Sequence, residues 1–500
     1  MERSQQVLSA LQTFLTTPLP AQLERHHHIE PQAAVVELFH TVVSTVPAYQ
    51  AFLAEQDIDP ATIQTFADFQ QLPLVTKQNY LLRHPLAALC RHGQLETCDL
   101  IAVSSGSTGQ PTFWPRFLTD ELQIASRFEQ IFHDSFQSDT QRTLAVICFT
   151  LGTWVGGIFT MNCCRHLASK GYPITVIAPS NNKAEIFRVI QELGGAFEQV
   201  VLLGYPPFLK DVIDDGIARG IEWSRYHLKL VMAGEVISEE WRSLVGDRVG
   251  STQPCYDSAS LYGTADAGVL GNETPLSICI RRFLAEHPDA ARTLFGESRL
   301  PTLVQYDPLS RFFEVLPDGT LLFSGDNGIP LIRYHIADTG GVIPYDEMLQ
   351  FLAEWGFDPI ATLKSQGVRG VHDLPFVYVF GRSQFIVSYF GANIYPENVT
   401  VGLEQPTIRD WVTGKFVLQV RSDADQNSLL SVAVELAPQV AADVEKQQAI
   451  AASIQTHLKR LNSEFANYVP PEYQLPQVTL SPIGDPEYFP VGVKHRYTRK

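Results

Sequence analysis

Charge is scarce in this chain, and positive charge is scarcer. Only 18% of the 500 residues are Asp, Glu, Lys or Arg, and 37 Lys and Arg stand against 54 Asp and Glu, a net charge of −17. So negative a surface argues against nucleic acid and anionic membrane as general partners. It also opposes ATP, so any nucleotide site must build positive potential locally. Cysteine is sparse as well: Cys90, Cys98, Cys148, Cys163, Cys164, Cys255 and Cys279, with no CxxC pair. An odd, scattered set argues against a disulfide framework or structural zinc and suits a reducing, cytoplasmic compartment. Residues 1–23 hold no apolar core of a secretory signal. No fixed-period repeat and no GxxxxGK[ST] loop occurs. Residues 143–164 carry no charge, a length that raises the question of a membrane span. Thr143, Thr150, Thr153, Thr160, Gly152, Gly156, Gly157 and Asn162 interrupt the run, which reads instead as a buried strand, a turn and a buried helix.

What is present is an ordinary globular composition, 45% apolar, in a chain too long for one core. Between residues 100 and 382 short apolar runs alternate with amphipathic ones. Strands are expected at 100–103, 143–149, 174–177, 200–203 and 228–233, and helices at 185–193, 207–219 and 238–244. That texture implies βαβ units: an α/β fold in which mostly parallel sheets are flanked by helices. After Arg382 the texture changes. Strands at 416–420, 430–436 and 477–480 surround a long amphipathic helix at 440–465, a smaller α+β domain. The expected division is 1–383 and 384–500. The first hundred residues read as helical. Within them His26-His27-His28 would point in different directions on a helix, which favours a solvated face over a metal site.

The strongest local signal is Ser104-Ser105-Gly106-Ser107-Thr108-Gly109-Gln110-Pro111-Thr112, directly after the strand at 100–103. The glycines let the backbone turn tightly and approach a ligand, and the hydroxyls add donors, so the segment reads as an anion cradle. A flexible Ser/Gly linker is the plainer alternative, disfavoured by the order of the nine residues and the strand before them.

This loop resembles the phosphate loop of the adenylate-forming (ANL) superfamily. Gln110 stands where that family usually has Lys. Val46-Pro47-Ala48-Tyr49 and the "LP…TK" turn within residues 66–77 are similar to the phenylacetate–coenzyme A ligase-like branch. The resemblance implies that Gly234 and Glu235 lie beside adenine, that Tyr262 lies on the adenine face and that Gly263 and Thr264 also belong to the ATP/AMP site. Asp266 would hold magnesium in place of the usual Glu, and Ala265 replaces a Thr. Pro330-Leu331-Ile332-Arg333-Tyr334-His335-Ile336-Ala337-Asp338 resembles the strand whose Asp accepts both ribose hydroxyls. Arg382 would contact ribose or phosphate, and Gln384 stands at the hinge position where relatives place Asp. Near the C-terminus, Lys494 falls close to the family's catalytic lysine, with its glycine spacing shifted by one. The same segment also reads as a frayed, solvated terminus.

The resemblance implies attack of a carboxylate on the α-phosphate of ATP, release of pyrophosphate, then transfer of the acyl group to a thiol. ATP, magnesium and coenzyme A as co-substrate are thereby implied. Trp154, Gly156, Tyr205 and Pro206 are expected around an aromatic or apolar acid, though core packing also explains such aromatic residues. Two alternatives stand: an adenylating enzyme that loads a separate carrier protein or an amine, and a nucleotide-binding protein that has lost catalysis. Gln110, Ala265, Gln384 and the shifted Lys494 weigh toward the last.

Overall fold

The structure is a computed structural model. It describes every residue except 1–2, 104–111, 154, 235, 298, 366, 368, 383–386, 390–391, 423–427, 463–464, 467–468, 470, 491–494 and 499–500. A hairpin of β1 (Leu100–Val103) and β2 (Phe113–Arg116) precedes the main sheet. That sheet holds β3 (Thr143–Ile147), β4 (Ile174–Ile177), β5 (Gln199–Gly204), β6 (Lys229–Ala233), β7 (Ser258–Thr264), β8 (Gly268–Asn272), β9 (Thr302–Gln305), β10 (Phe312–Val315), β11 (Thr320–Gly325), β12 (Leu331–Ile343) and β13 (Phe376–Arg382). Its order is β10-β11-β12-β13-β9-β8-β7-β6-β5-β3-β4.

The half from β4 to β7 is parallel. Helices Val155–Ser169, Lys183–Leu193, Pro206–Ala218 and Glu239–Val249 connect its strands. Strand side chains alternate between two cores. Ala145, Ile147, Val201, Leu203 and Val231 face one, and Leu144, Val146, Val200, Leu202, Leu230 and Met232 face the other. Burial on both faces is why these strands read as continuous apolar runs. The uncharged segment at 143–164 resolves into β3 and the helix Val155–Ser169, and no described helix is long and apolar enough to cross a membrane.

The α/β class and helical flanks match the expectation, but the sheet is mixed rather than mostly parallel. From β7 to β10 all six pairings are antiparallel. Short chain reversals such as Thr264–Gly268 connect several of these strands, where a parallel crossover would need a helix.

The C-terminal unit contains the pair β14 (Val387–Tyr389) and β15 (Ala392–Ile394), and a sheet of β16 (Val412–Ser422), β17 (Ser428–Leu436) and β18 (Gln477–Ser481). Helices Pro396–Leu403 and Val444–Leu461 cover it, with Ile394, Val399, Phe416, Val432 and Ile454 in the core. The tail is not a frayed terminus throughout. The Leu418 N–H donates to the Tyr497 carbonyl at 2.7 Å, and His495 Nε2 lies 2.8 Å from the Phe416 carbonyl. Burial pushes the His495 imidazole down to about 4.

This unit docks on helices of the main domain through charged contacts. Arg248 meets Asp410 at 2.9 Å, Lys415 meets Asp211 at 3.2 Å, and the Arg299 guanidinium stacks 3.7 Å from the Tyr395 ring centre. Glu404 is buried against the Ser238 hydroxyl, and burial raises its carboxyl to about 8. A carboxyl with a raised folded pKa contributes stability that is complete below its unfolded value and is lost as pH rises through the folded one. Raising the pH from 6 to 8 should therefore cost about 2–3 kcal/mol at this contact. Thermal unfolding across that range is expected to show a steeper loss for the wild type than for Glu404→Gln; parallel losses would mean that Glu404 is already ionised in the folded chain.

Candidate active site

Val103 of β1 lies opposite Phe113 of β2, so the Ser/Gly segment begins and ends at one closed hairpin base. Ser104, Ser105, Gly106, Ser107, Thr108 and Gly109 themselves lie outside the described residues, as do Gln110, Trp154, Glu235, Gln384, Lys494 and the Arg382 side chain. The hairpin is tied at both of its ends. The Val103 N–H donates to the Thr153 carbonyl at 2.8 Å, at the edge of the expected acid pocket. From β2, the buried Arg116 donates to the carbonyls of Ala265 and Asp266. Burial draws the guanidinium below its ordinary pKa, and Asp120 and Asp266 oppose that shift. Asp120 is itself pushed up to about 7 by burial, with Asp326 adding to the rise.

The turn that Arg116 holds is shaped by its own residues. The Thr264 hydroxyl accepts the Ala267 N–H at 3.2 Å. Gly263 has no room for a side chain, because a Cβ there would lie 2.5 Å from the Gly268 carbonyl oxygen. Asp266 accepts a 2.5 Å bond from the Tyr334 hydroxyl of β12. Two residues before the turn ends β7, the Tyr262 hydroxyl donates to Asp338 at 2.7 Å, both groups being buried. Asp338 follows Ala337, whose φ of +60° is unusual for a residue with a side chain. The register also slips just beyond, between Thr339 and Gly340. Such irregularities re-aim side chains on a strand. Asp338 is the cross-strand partner of Arg382 on β13. The far end of β12 is pinned by Val75 of the "LP…TK" turn, which exchanges backbone bonds with Arg333 and His335.

On the parallel side Gly234 directly follows β6 with φ +85°, and a Cβ there would sit 2.8 Å from the Tyr205 ring. Tyr205 packs edge-on against Phe149 at 5.0 Å and lies beside Gly156, while Pro206 starts the next helix. The structure thus brings Tyr262, Gly263, Thr264, Asp266, Asp338 and the backbone of Arg382 together, with Gly234, Tyr205, Gly156 and Pro206 adjoining. A concavity of about 310 Å³ lined by Pro18, His133, Asp139, Lys170 and Tyr172 shares no residue with this group. Sequence reasoning missed Arg116, although an arginine in the short apolar strand Phe113–Arg116 was a signal. It missed the role of Tyr334 inside a segment already singled out.

No family model matches the chain, and no curated protein does. Among solved structures, it is similar to 2-hydroxyisobutyryl-CoA ligase in the postadenylation state with R3-HIB-AMP, with TM-score 0.66 and 13% identity over 94% of this chain and 88% of that one. The chain shares the fold of that ligase. Two further structures of that ligase agree at TM-score 0.53. One is an open conformation with 2-HIB-AMP and CoA, at 12% identity over 94% and 91% of the two chains. The other holds the same ligands in the thioesterification state, at 14% identity over 98% and 91%. In this chain the Ala265–Asp266 turn is clamped by Arg116. Replacing it leaves two part-buried carbonyls without this donor, a loss of about 1–3 kcal/mol for each unsatisfied group. Arg116→Met is expected to lower stability by about 2–4 kcal/mol, read by denaturant unfolding; a change under about 0.5 kcal/mol would mean the clamp is dispensable.

Proposed function

We propose that the chain activates a carboxylic acid with ATP as an acyl-adenylate, releasing pyrophosphate, and then passes the acyl group to a thiol, coenzyme A being the leading acceptor. The observation that carries this reading is the bonded series joining the Ser/Gly hairpin to Asp266 through Arg116 and the Tyr262 strand to Asp338. The likeness to a ligase solved with acyl-AMP and CoA supports it. The "LP…TK" turn anchored on β12 favours the phenylacetate–coenzyme A ligase-like branch. We place the domain division between residues 383 and 384, next to the end of β13, with Gln384 as the hinge.

In this reading Asp338 receives the ribose hydroxyls. One of its oxygens already accepts from Tyr262, but a carboxylate has about four acceptor sites in all. Tyr262, Gly234 and Glu235 border the adenine, and residues 104–109 donate to the triphosphate. The donor set suits magnesium: Asp266 offers a carboxylate oriented by Tyr334, and that ion is usually held by one or two carboxylates plus phosphate oxygens. When bound, it supplies neutralisation of phosphate charge. The substrate carboxylate is ionised at neutral pH and needs no base. Its oxygen forms the bond to the α-phosphorus as the bridge to the β-phosphate breaks and pyrophosphate leaves with the electron pair. Catalysis therefore rests on positioning and charge, for which Arg382 and Lys494 are the proposed cations. Tyr205, Phe149, Gly156, Pro206 and Trp154 suit an aromatic or apolar acid.

Gln110 and Ala265, which replace a lysine and a hydroxyl, favour a second reading as a nucleotide-binding protein without catalysis. A pyrophosphate-exchange screen over a panel of carboxylic acids separates the two. Acid-dependent exchange is expected in the wild type, with a fall of about 100-fold or more in Asp338→Ala and no loss of fold by circular dichroism. Wild-type exchange in that variant would refute the ribose assignment, and an absence of exchange with every acid of the panel would favour the second reading.

A further inference from the structure

His26 and His27 do not diverge into solvent as the helical reading of the triple histidine expected. They lie on a single 3-10 turn, Arg25–His27, and both turn toward Asp373, 346 residues away in the chain. His27 Nε2 is 2.6 Å from Asp373 Oδ2, and His26 Nε2 is 3.6 Å from Asp373 Oδ1. The three donor atoms lie within 4.8 Å of one another, and they are the one such group of three among the described residues.

The scaffold behind them is built. Leu23 and Leu374, each next to or near a donor residue, are buried together with Leu19. The buried Gln305 side chain donates to the carbonyls of His372 and Leu374, the two neighbours of Asp373, at 3.0 and 2.8 Å. His372 reaches inward to Asp134 at 2.9 Å. Asp373 is therefore presented outward from a backbone fixed on both sides. Arg25, the adjacent cation, is engaged by Asp307 at 2.9 Å and does not neutralise Asp373.

The bonding of His26 adds an electronic argument. Its Nδ1 lies 2.8 Å from the Leu23 carbonyl, which can only accept, so Nδ1 carries the proton. Nε2 is therefore the ring nitrogen left to face the Asp373 carboxylate, at 3.6 Å. A backbone carbonyl on the remote ring nitrogen is also the usual way a metal-bound imidazole is oriented.

We infer that His26, His27 and Asp373 form a site for a first-row divalent transition ion of the zinc class. Two imidazoles and one carboxylate match that chemistry and not the all-oxygen preference of calcium or magnesium. Tetrahedral zinc sets its ligand atoms about 3.3 Å apart at bond lengths near 2.0–2.1 Å. Reaching that spacing needs only small shifts of side chains that are partly exposed. Water completes the coordination from the solvent side. The bound ion would fasten the N-terminal segment to the loop that leads into β13, and the site is independent of the proposed activity.

The test is calorimetric titration of the tag-free, EDTA-treated full chain with zinc sulfate at pH 7.5, paired with thermal melts. One saturable zinc per chain and a raised melting temperature are expected, reversed by EDTA. His27→Gln and Asp373→Asn should each weaken binding at least about tenfold and abolish the melting shift, while their melts in EDTA match the wild type. No saturable binding in the wild type, or binding unchanged in both variants, would overturn the site.

Discussion

The hydrogen bond from Tyr262 to Asp338 joins two strands that the sheet order holds four places apart, with β8, β9 and β13 between them. In a flat sheet those strands would be roughly 19 Å apart at about 4.8 Å per step. A tyrosine side chain cannot span that distance, so the antiparallel half must curl. Its concave side is filled by Tyr262, Val304, Tyr306, Phe313, Leu331 and Ile336. The curl delivers the end of β7 to the irregular middle of β12, and the Tyr334–Asp266 bond repeats the closure a few residues away.

Everything else in the candidate site hangs on this closure. A buried carboxylate is costly unless it is hydrogen-bonded, so Asp338 and Tyr262 hold each other in place. Arg116 then carries the arrangement to the Ser/Gly hairpin. Arg116 pairs with Leu100 at the end of the hairpin away from the Ser/Gly segment, and its guanidinium holds the Ala265–Asp266 turn.

The legible part of the fold was the part governed by local pattern. The strand Leu100–Val103 and the run from β3 to β6 follow from apolar strands buried on both faces and amphipathic helices between them. The long C-terminal helix was expected over 440–465 and spans Val444–Leu461, since the Asp443 side chain caps its start by accepting the Lys446 N–H at 2.7 Å. The antiparallel half was not legible as such. Strands of four to six residues such as β9, β10 and β11 are too short for periodicity to assign, and their pairing depends on partners distant in sequence. The site segments were found as residue patterns. The clamp of Arg116, the role of Tyr334 and the convergence of His26 and His27 on Asp373 arise only when distant segments meet. The basic C-terminal segment shows the same limit, because its docking on β16 through His495 and Tyr497 has no local signature.

The central claim is that these segments surround one nucleotide, with the sugar on Asp338. A crystal structure of the chain with bound AMP tests it most directly. The expected result is both ribose hydroxyls within hydrogen-bond distance of the Asp338 carboxylate, the base between Gly234 and Tyr262, and the phosphate toward the hairpin at 104–111. AMP bound anywhere else, with the Tyr262–Asp338 pair untouched by ligand, would contradict it.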